Sequence, residues 1–163
     1  MLAVIEKVDN GYIARYDLPL KHSVNKVWSA LTQNDQLKHW MSNLQVEVLG
    51  IKGNIRFNYN DGSGNFLNMK ITDFKESSLL EFEWGEGRVR FEVIPMSADS
   101  LLVLKEYLPT LNDHTPKDLA GWHVCLHMLS ALLDGNIMEF PKDEWEQWYE
   151  KYMNSLNQIK NDF

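Results

Sequence analysis

The chain has 163 residues, of which 44% are hydrophobic and 12% aromatic, and a formal net charge of −7 at pH 7. That length allows one domain with a real core, the acidity argues against a nucleic-acid partner, and the single cysteine excludes an intramolecular disulfide. No apolar run is long enough to span a bilayer, and the short start MLAVIEKVDN, broken at Glu6, does not read as a signal peptide, so a reducing, cytoplasmic setting is expected.

Residues 2–5 and 12–16 read as extended, with Asp9-Asn10-Gly11 as a turn between them and Pro19 as the end of this opening piece. Ser23 is placed to cap a short helix, SVNKVWSALTQ, with Val24, Val27, Trp28 and Leu31 on one side. Asn34 is expected to cap a second short turn that ends near Trp40. The period then changes from 3.6 to 2. Ile55, Phe57 and Tyr59 alternate with polar residues, and Asn60-Asp61-Gly62 is a hairpin signal. A strand of mixed facing follows over 66–74. Leu80, Phe82 and Trp84, then Val89, Phe91 and Val93 across the turn Gly85-Glu86-Gly87, then Leu102 and Leu104, continue the alternation. The pattern is that of an antiparallel meander with one buried face, and the next inward position is Glu106. Outer-face charges such as Glu83 and Arg88 face one another across a hairpin, where they add little.

Residues 115–135, TPKDLAGWHVCLHMLSALLDG, predict one long helix. Thr115 is read as the N-cap, Pro116 as the first helical residue, Asp118 as the capping-box acid and Gly135 as the stop. Leu119, Trp122, Leu126, Leu129 and Leu133 form its apolar stripe, widened by Cys125, Met128 and Leu132. After a connection containing Pro141, Trp145, Trp148, Tyr149, Tyr152, Leu156 and Ile159 make a second helical stripe. This tail is expected to fold back onto the flank of the long helix.

A strand, two short helices, a meander of about six strands and a long helix follow one another in the order of the helix-grip fold, and the sequence resembles the START-like (SRPBCC) superfamily. It is most similar to the branch homologous to the activators of the ninety-kilodalton heat-shock protein's ATPase. VWSALTQNDQLKHW at residues 27–40 and AGWHVCLHMLSALLDG at residues 120–135 carry the match, which covers roughly residues 12–135. The resemblance implies an α+β domain over residues 1–135, in which a curved antiparallel sheet grips the long helix around an apolar cavity. Residues 136–163 form an extension that the minimal fold lacks.

The walls of such a cavity would be Phe57, Tyr59, Phe82, Trp84, Phe91 and Leu104 from the sheet and Trp122, Leu126 and Leu129 from the helix, with Trp40 at the mouth; the alternative is that these residues fill the space as closed core. Glu106 is a candidate acid or base if desolvated, or a strand-end residue reaching solvent. His123 and His127 share a helical face at zinc-ligand spacing, but no third ligand completes the set, so a solvated flank is expected and no metal. Cys125 is expected to be buried and inert. There is no phosphate loop, nucleophile elbow or basic stripe, and no cofactor is expected. Three functions remain open: binding of a small apolar molecule of lipid, polyketide or flavonoid type; a cochaperone-like module that meets a chaperone or other protein through its surface; and a cyclase- or hydrolase-type enzyme using Glu106 or His123. No nucleic-acid or membrane partner is expected, and the chain would be a monomer or weak homodimer.

Overall fold

The computed structural model describes residues 2–162, so positions 1 and 163 of the two predicted segments lie outside the described residues. The elements follow one another as β1 (Val4–Val8), β2 (Gly11–Leu20), α1 (Val24–Thr32), α2 (Asn34–Trp40), β3 (Leu44–Val48), β4 (Asn54–Asn58), β5 (Phe66–Lys75), β6 (Leu79–Trp84), β7 (Gly87–Met96), β8 (Asp99–Leu108), α3 (Thr115–Leu133) and α4 (Lys142–Asp162). The strands form one antiparallel sheet in the order β1-β2-β8-β7-β6-β5-β4-β3, curved around α3. This is the predicted helix-grip architecture, and β3 to β8 are the six-stranded meander expected after the two short helices.

Three local expectations are corrected. Pro19 does not end the opening strand: β2 continues through it, opposite Leu101. Its pairing with β1 stops at Arg15, so on that side Pro19 has no ladder to interrupt. Asn34 does not cap α2; its side chain instead brackets Val46, donating to the carbonyl at 2.9 Å and accepting from the N–H at 2.8 Å, which pins β3, a strand the alternation does not reveal. Asn60-Asp61-Gly62 belongs to a longer loop between Asn58 and Phe66, not to a two-residue turn. Ser23 does cap α1, accepting from the Lys26 N–H at 3.3 Å.

The start of α3 also differs in its chemistry. Thr115 is its first residue, and its hydroxyl accepts from the Asn112 N–H at 3.0 Å. The capping work falls to Asn112, whose Oδ1 accepts from the N–H groups of His114 and Thr115. The other end is as read. Gly135, at φ +90°, lets its N–H reach the Leu132 carbonyl while the Asn136 N–H reaches Ala131, a Schellman closure.

α3 is buried on nearly every side, which explains its lack of a polar face. The sheet covers one side and α1 and α2 another. α4 covers the flank: Tyr152 and Leu156 are buried, and Trp145, Trp148, Tyr149 and Ile159 pack against the core.

Candidate functional site

The middle of the grip is full. Trp40, Phe82, Phe91, Leu104, Trp122, Leu126 and Leu129 are each at most 2% exposed. Phe91 stands at the centre, with ring centroids 6.2 Å from Trp40, 6.3 Å from Phe82 and 5.9 Å from Trp122. Trp40 is therefore interior and not at a mouth; its indole N–H donates to the Ala30 carbonyl at 2.8 Å. Tyr59 lies in the loop after β4, 43% exposed, edge-on to Phe57. Of the ten predicted wall residues, Phe57 and Trp84 line a cavity.

That cavity, of about 320 Å³, lies at one end of the grip, beside the first turn of α3. Its origin is a split in the sheet. The β5–β6 ladder runs from Lys75↔Leu79 to Ile71↔Phe82, with an irregularity at Thr72, and there it stops. Continued in register, it would set Met69 against Trp84. Instead the first half of β5 goes with β4, β6 goes with β7, and Met69 and Trp84 line the space between. Phe57 and Leu67 complete the apolar walls, and exposed Glu86 and His114 stand at the rim. Gly87 closes one edge: a Cβ there would strike the Tyr107 carbonyl, so β7 can start this close to β8 only with glycine.

The floor is polar. Glu106, flanked across the ladders by Ala14 and Val89, is 1% exposed and lines the cavity. Asp118 faces it from α3 and accepts from the Trp84 indole N–H at 3.1 Å. Burial pushes the Glu106 carboxyl well above its ordinary 4.5, and Asp118 raises it further as hydrogen-bond neighbour and as like charge. Burial and the facing Asp118 both favour the protonated form of Glu106. Its Oε1 has no partner. Sequence reasoning placed Glu106 inward but missed Asp118, reading it as a capping acid. The signal was present: Asp118 precedes Trp122 by four residues and so continues the face of Trp122, Leu126 and Leu129 into the cavity.

A raised carboxyl pKa makes stability depend on pH. The folded chain is favoured while Glu106 keeps its proton, and that contribution is lost as pH rises above the unfolded value near 4.5 towards the raised folded one. Glu106→Gln keeps the size and hydrogen-bonding capacity of the side chain without the ionisation. As pH rises above the unfolded value, urea unfolding is expected to show the native protein losing more stability than the Gln variant. Identical pH profiles would exclude Glu106 as the source.

The histidines go elsewhere. His123 is not a solvated flank: it is 5% exposed, stacks on Trp148 at 3.6 Å and meets the Tyr152 hydroxyl through Nδ1 at 2.8 Å. Burial brings its pKa down to about 4, so the neutral ring accepts from Tyr152, whose oxygen in turn accepts from the Ala3 N–H at 3.0 Å. His127 is exposed and pairs with Glu144 at 2.9 Å. No group of metal-ligating residues forms among the described residues. Cys125 is buried against Met41, its thiol pushed up to about 12 by burial. On the outer face of the sheet, Arg90 bonds Glu81 and Asp73, Lys105 bonds Glu92, and Arg88 pairs with Glu81 and not with Glu83 opposite it.

An antiparallel sheet closed on a long helix near the C-terminus, with a cavity between them, is the architecture of the START-like superfamily. The chain belongs to the family described as Activator of Hsp90 ATPase homolog 1-like protein, whose profile matches residues 21–134. Among solved structures, a conserved protein of unknown function from Enterococcus faecalis superposes with a TM-score of 0.86 at 24% identity, covering 96% of this chain and 91% of that one. That coverage reaches into α4, so the tail is shared with that neighbour. The Aha1 dimer from Colwellia psychrerythraea gives a TM-score of 0.62 at 20% identity over 74% of this chain and 95% of that one. CalU16 from Micromonospora echinospora gives 0.69 at 16% identity over 93% and 94%. No curated protein matches the chain. No helix is long and apolar enough to cross a membrane among the described residues.

Proposed function

We propose that this chain binds a small apolar molecule in the cavity at the β5–β6 split. The observation that carries this reading is the cavity itself: Phe57, Leu67, Met69 and Trp84 wall a space that leads to an unpartnered, buried oxygen of Glu106. The volume suits a molecule of one to a few rings, and apolar walls with few polar groups are the ordinary composition of small-molecule sites. Binding in the micromolar range with a negative heat-capacity change is expected, since burial of apolar surface is the main driving force. Trp84 lies in the wall, so its fluorescence reports occupancy, and Trp84→Phe should remove most of the response. Lipids, flavonoids and polyketide-like compounds that give no saturable change in fluorescence or heat would overturn the reading.

A cochaperone-like module is the second reading, supported by the family and by exposed apolar side chains at the β3–β4 edge, among them Val48 and Ile51, 59% and 58% exposed. The acidic outer strands lend it less, because Glu81, Asp73 and Glu92 are tied to arginine and lysine. Val48→Lys together with Ile51→Lys would abolish a partner contact at that edge and leave cavity binding unchanged. Of the two candidates for catalysis, Glu106 lines the cavity, whereas His123 lies between α3 and α4, away from it.

A further inference from the structure

The polar floor restricts what the cavity accepts. Glu106 and Asp118 share it with the Trp84 indole N–H, which is already spent on Asp118. The Thr115 hydroxyl is likewise engaged, with Asn112. Among the buried side-chain atoms of the lining, the one left without a partner is an acceptor, Glu106 Oε1, in a side chain 1% exposed. A ligand that satisfies it brings a donor. Its charge is restricted as well: Glu86, Glu106 and Asp118 line the cavity, and no lysine or arginine among the described residues does. A carboxylate or phosphate would meet like charge with no counter-ion, whereas a cation would meet acidic groups and the rings of Phe57 and Trp84, set edge to face at 5.6 Å.

We infer that the cavity takes an ammonium group carried on an apolar or aromatic body, its N–H donated to Glu106 Oε1 and its body held between Phe57, Met69 and Trp84. The inference rests on the binding reading above. On binding, a Glu106 carboxyl that carries a proton gives it up to solvent and becomes the carboxylate partner of the cation. The other groups facing Glu106 are the Tyr16 hydroxyl from β2, which donates to the Leu119 carbonyl, and Glu86 and His114 at the rim.

Three molecules with one skeleton separate charge from apolar contact: phenylbutylamine, phenylbutanol and phenylbutyrate, titrated calorimetrically near pH 7 at fixed ionic strength against the full chain and against Glu106→Gln. The amine is expected to bind at least about tenfold more tightly than the alcohol, as a charge-assisted hydrogen bond should over a neutral one. The carboxylate is expected to bind least. Glu106→Gln keeps the shape and the acceptor oxygen but not the ionisable group, so it should erase the amine's advantage over the alcohol. An alcohol that binds as well as the amine, a carboxylate that binds best, or an amine advantage that survives in the Gln variant would each overturn the ammonium assignment while leaving apolar binding in place. Failure of all three to bind would remove the binding reading along with it.

Discussion

Replacing Trp122 with alanine is expected to lower the free energy of unfolding by about 3–5 kcal/mol. Trp122 is 1% exposed and sits where the helix meets the sheet, its ring centroid 4.9 Å from Trp84 and 5.9 Å from Phe91. Alanine would leave a void ringed by aromatic side chains on strands that cannot close over it. Trp122 is not among the walls of the candidate cavity, so little of its surface is already relieved of packing. One feature works the other way. The indole N–H of Trp122 has no partner, so part of the native cost vanishes with the side chain. Trp122→Phe isolates that feature, removing the orphan donor while keeping most of the volume, and should cost less than about 1.5 kcal/mol. Equilibrium urea unfolding measures both. A loss below about 0.5 kcal/mol in the alanine variant is incompatible with the packing described.

Truncation after Pro141, which removes α4, is expected to lower the melting temperature by about 10 °C or more. Tyr152 and Leu156 are buried, Trp148 stacks on His123, and Trp145 and Tyr149 stack on each other at 5.4 Å against the core. Burying aromatic surface on this scale at about 25 cal/mol per Å² contributes several kcal/mol, and each kcal/mol shifts the melting point of a chain this long by roughly 2–4 °C. The exposed flank of α3 should then bind hydrophobic dyes. The loss has an acid signature. The pKa of His123 falls from 6.5 to about 4 on folding, so its contribution is complete above 6.5 and is lost as pH drops through about 4. Full-length protein should lose on the order of 2 kcal/mol over that interval, allowing for solvent screening, and the truncated chain should lack that step. A truncated chain that melts unchanged, or keeps the step, would show that α4 does not carry this stability.

The architecture was legible because its signals are long. Leu80, Phe82 and Trp84 alternate without interruption, as do Val89, Phe91 and Val93, and α3 runs for 19 residues between a proline and a glycine. The site was less so. A helix apolar on every side does not disclose which face meets the sheet and which meets α4, and so His123 read as a solvated flank. The cavity arises where the β5–β6 ladder ends at Ile71↔Phe82, and hydrophobic alternation is the same whether a ladder continues there or splits. Trp40 read as a mouth residue because its position depends on how α2 packs, and β3 went unnoticed because of its five residues Leu44 is the only one fully buried.

The hydrogen bond from Ala3 to Tyr152 spans 149 positions, and β2 finds its second neighbour in β8, with Tyr12 opposite Leu108. Closing loops of that length is slow compared with forming helices or adjacent hairpins. During synthesis from the N-terminus, β1 and β2 therefore leave the ribosome about a hundred residues before the strand that completes them, and the tyrosine that fastens Ala3 comes later still. Over that interval one side of β2 is an open edge, able to pair with the same strand of a neighbouring nascent chain. The hazard lies in the order in which the polypeptide is made, and it ends when β8 emerges and pairs with β2.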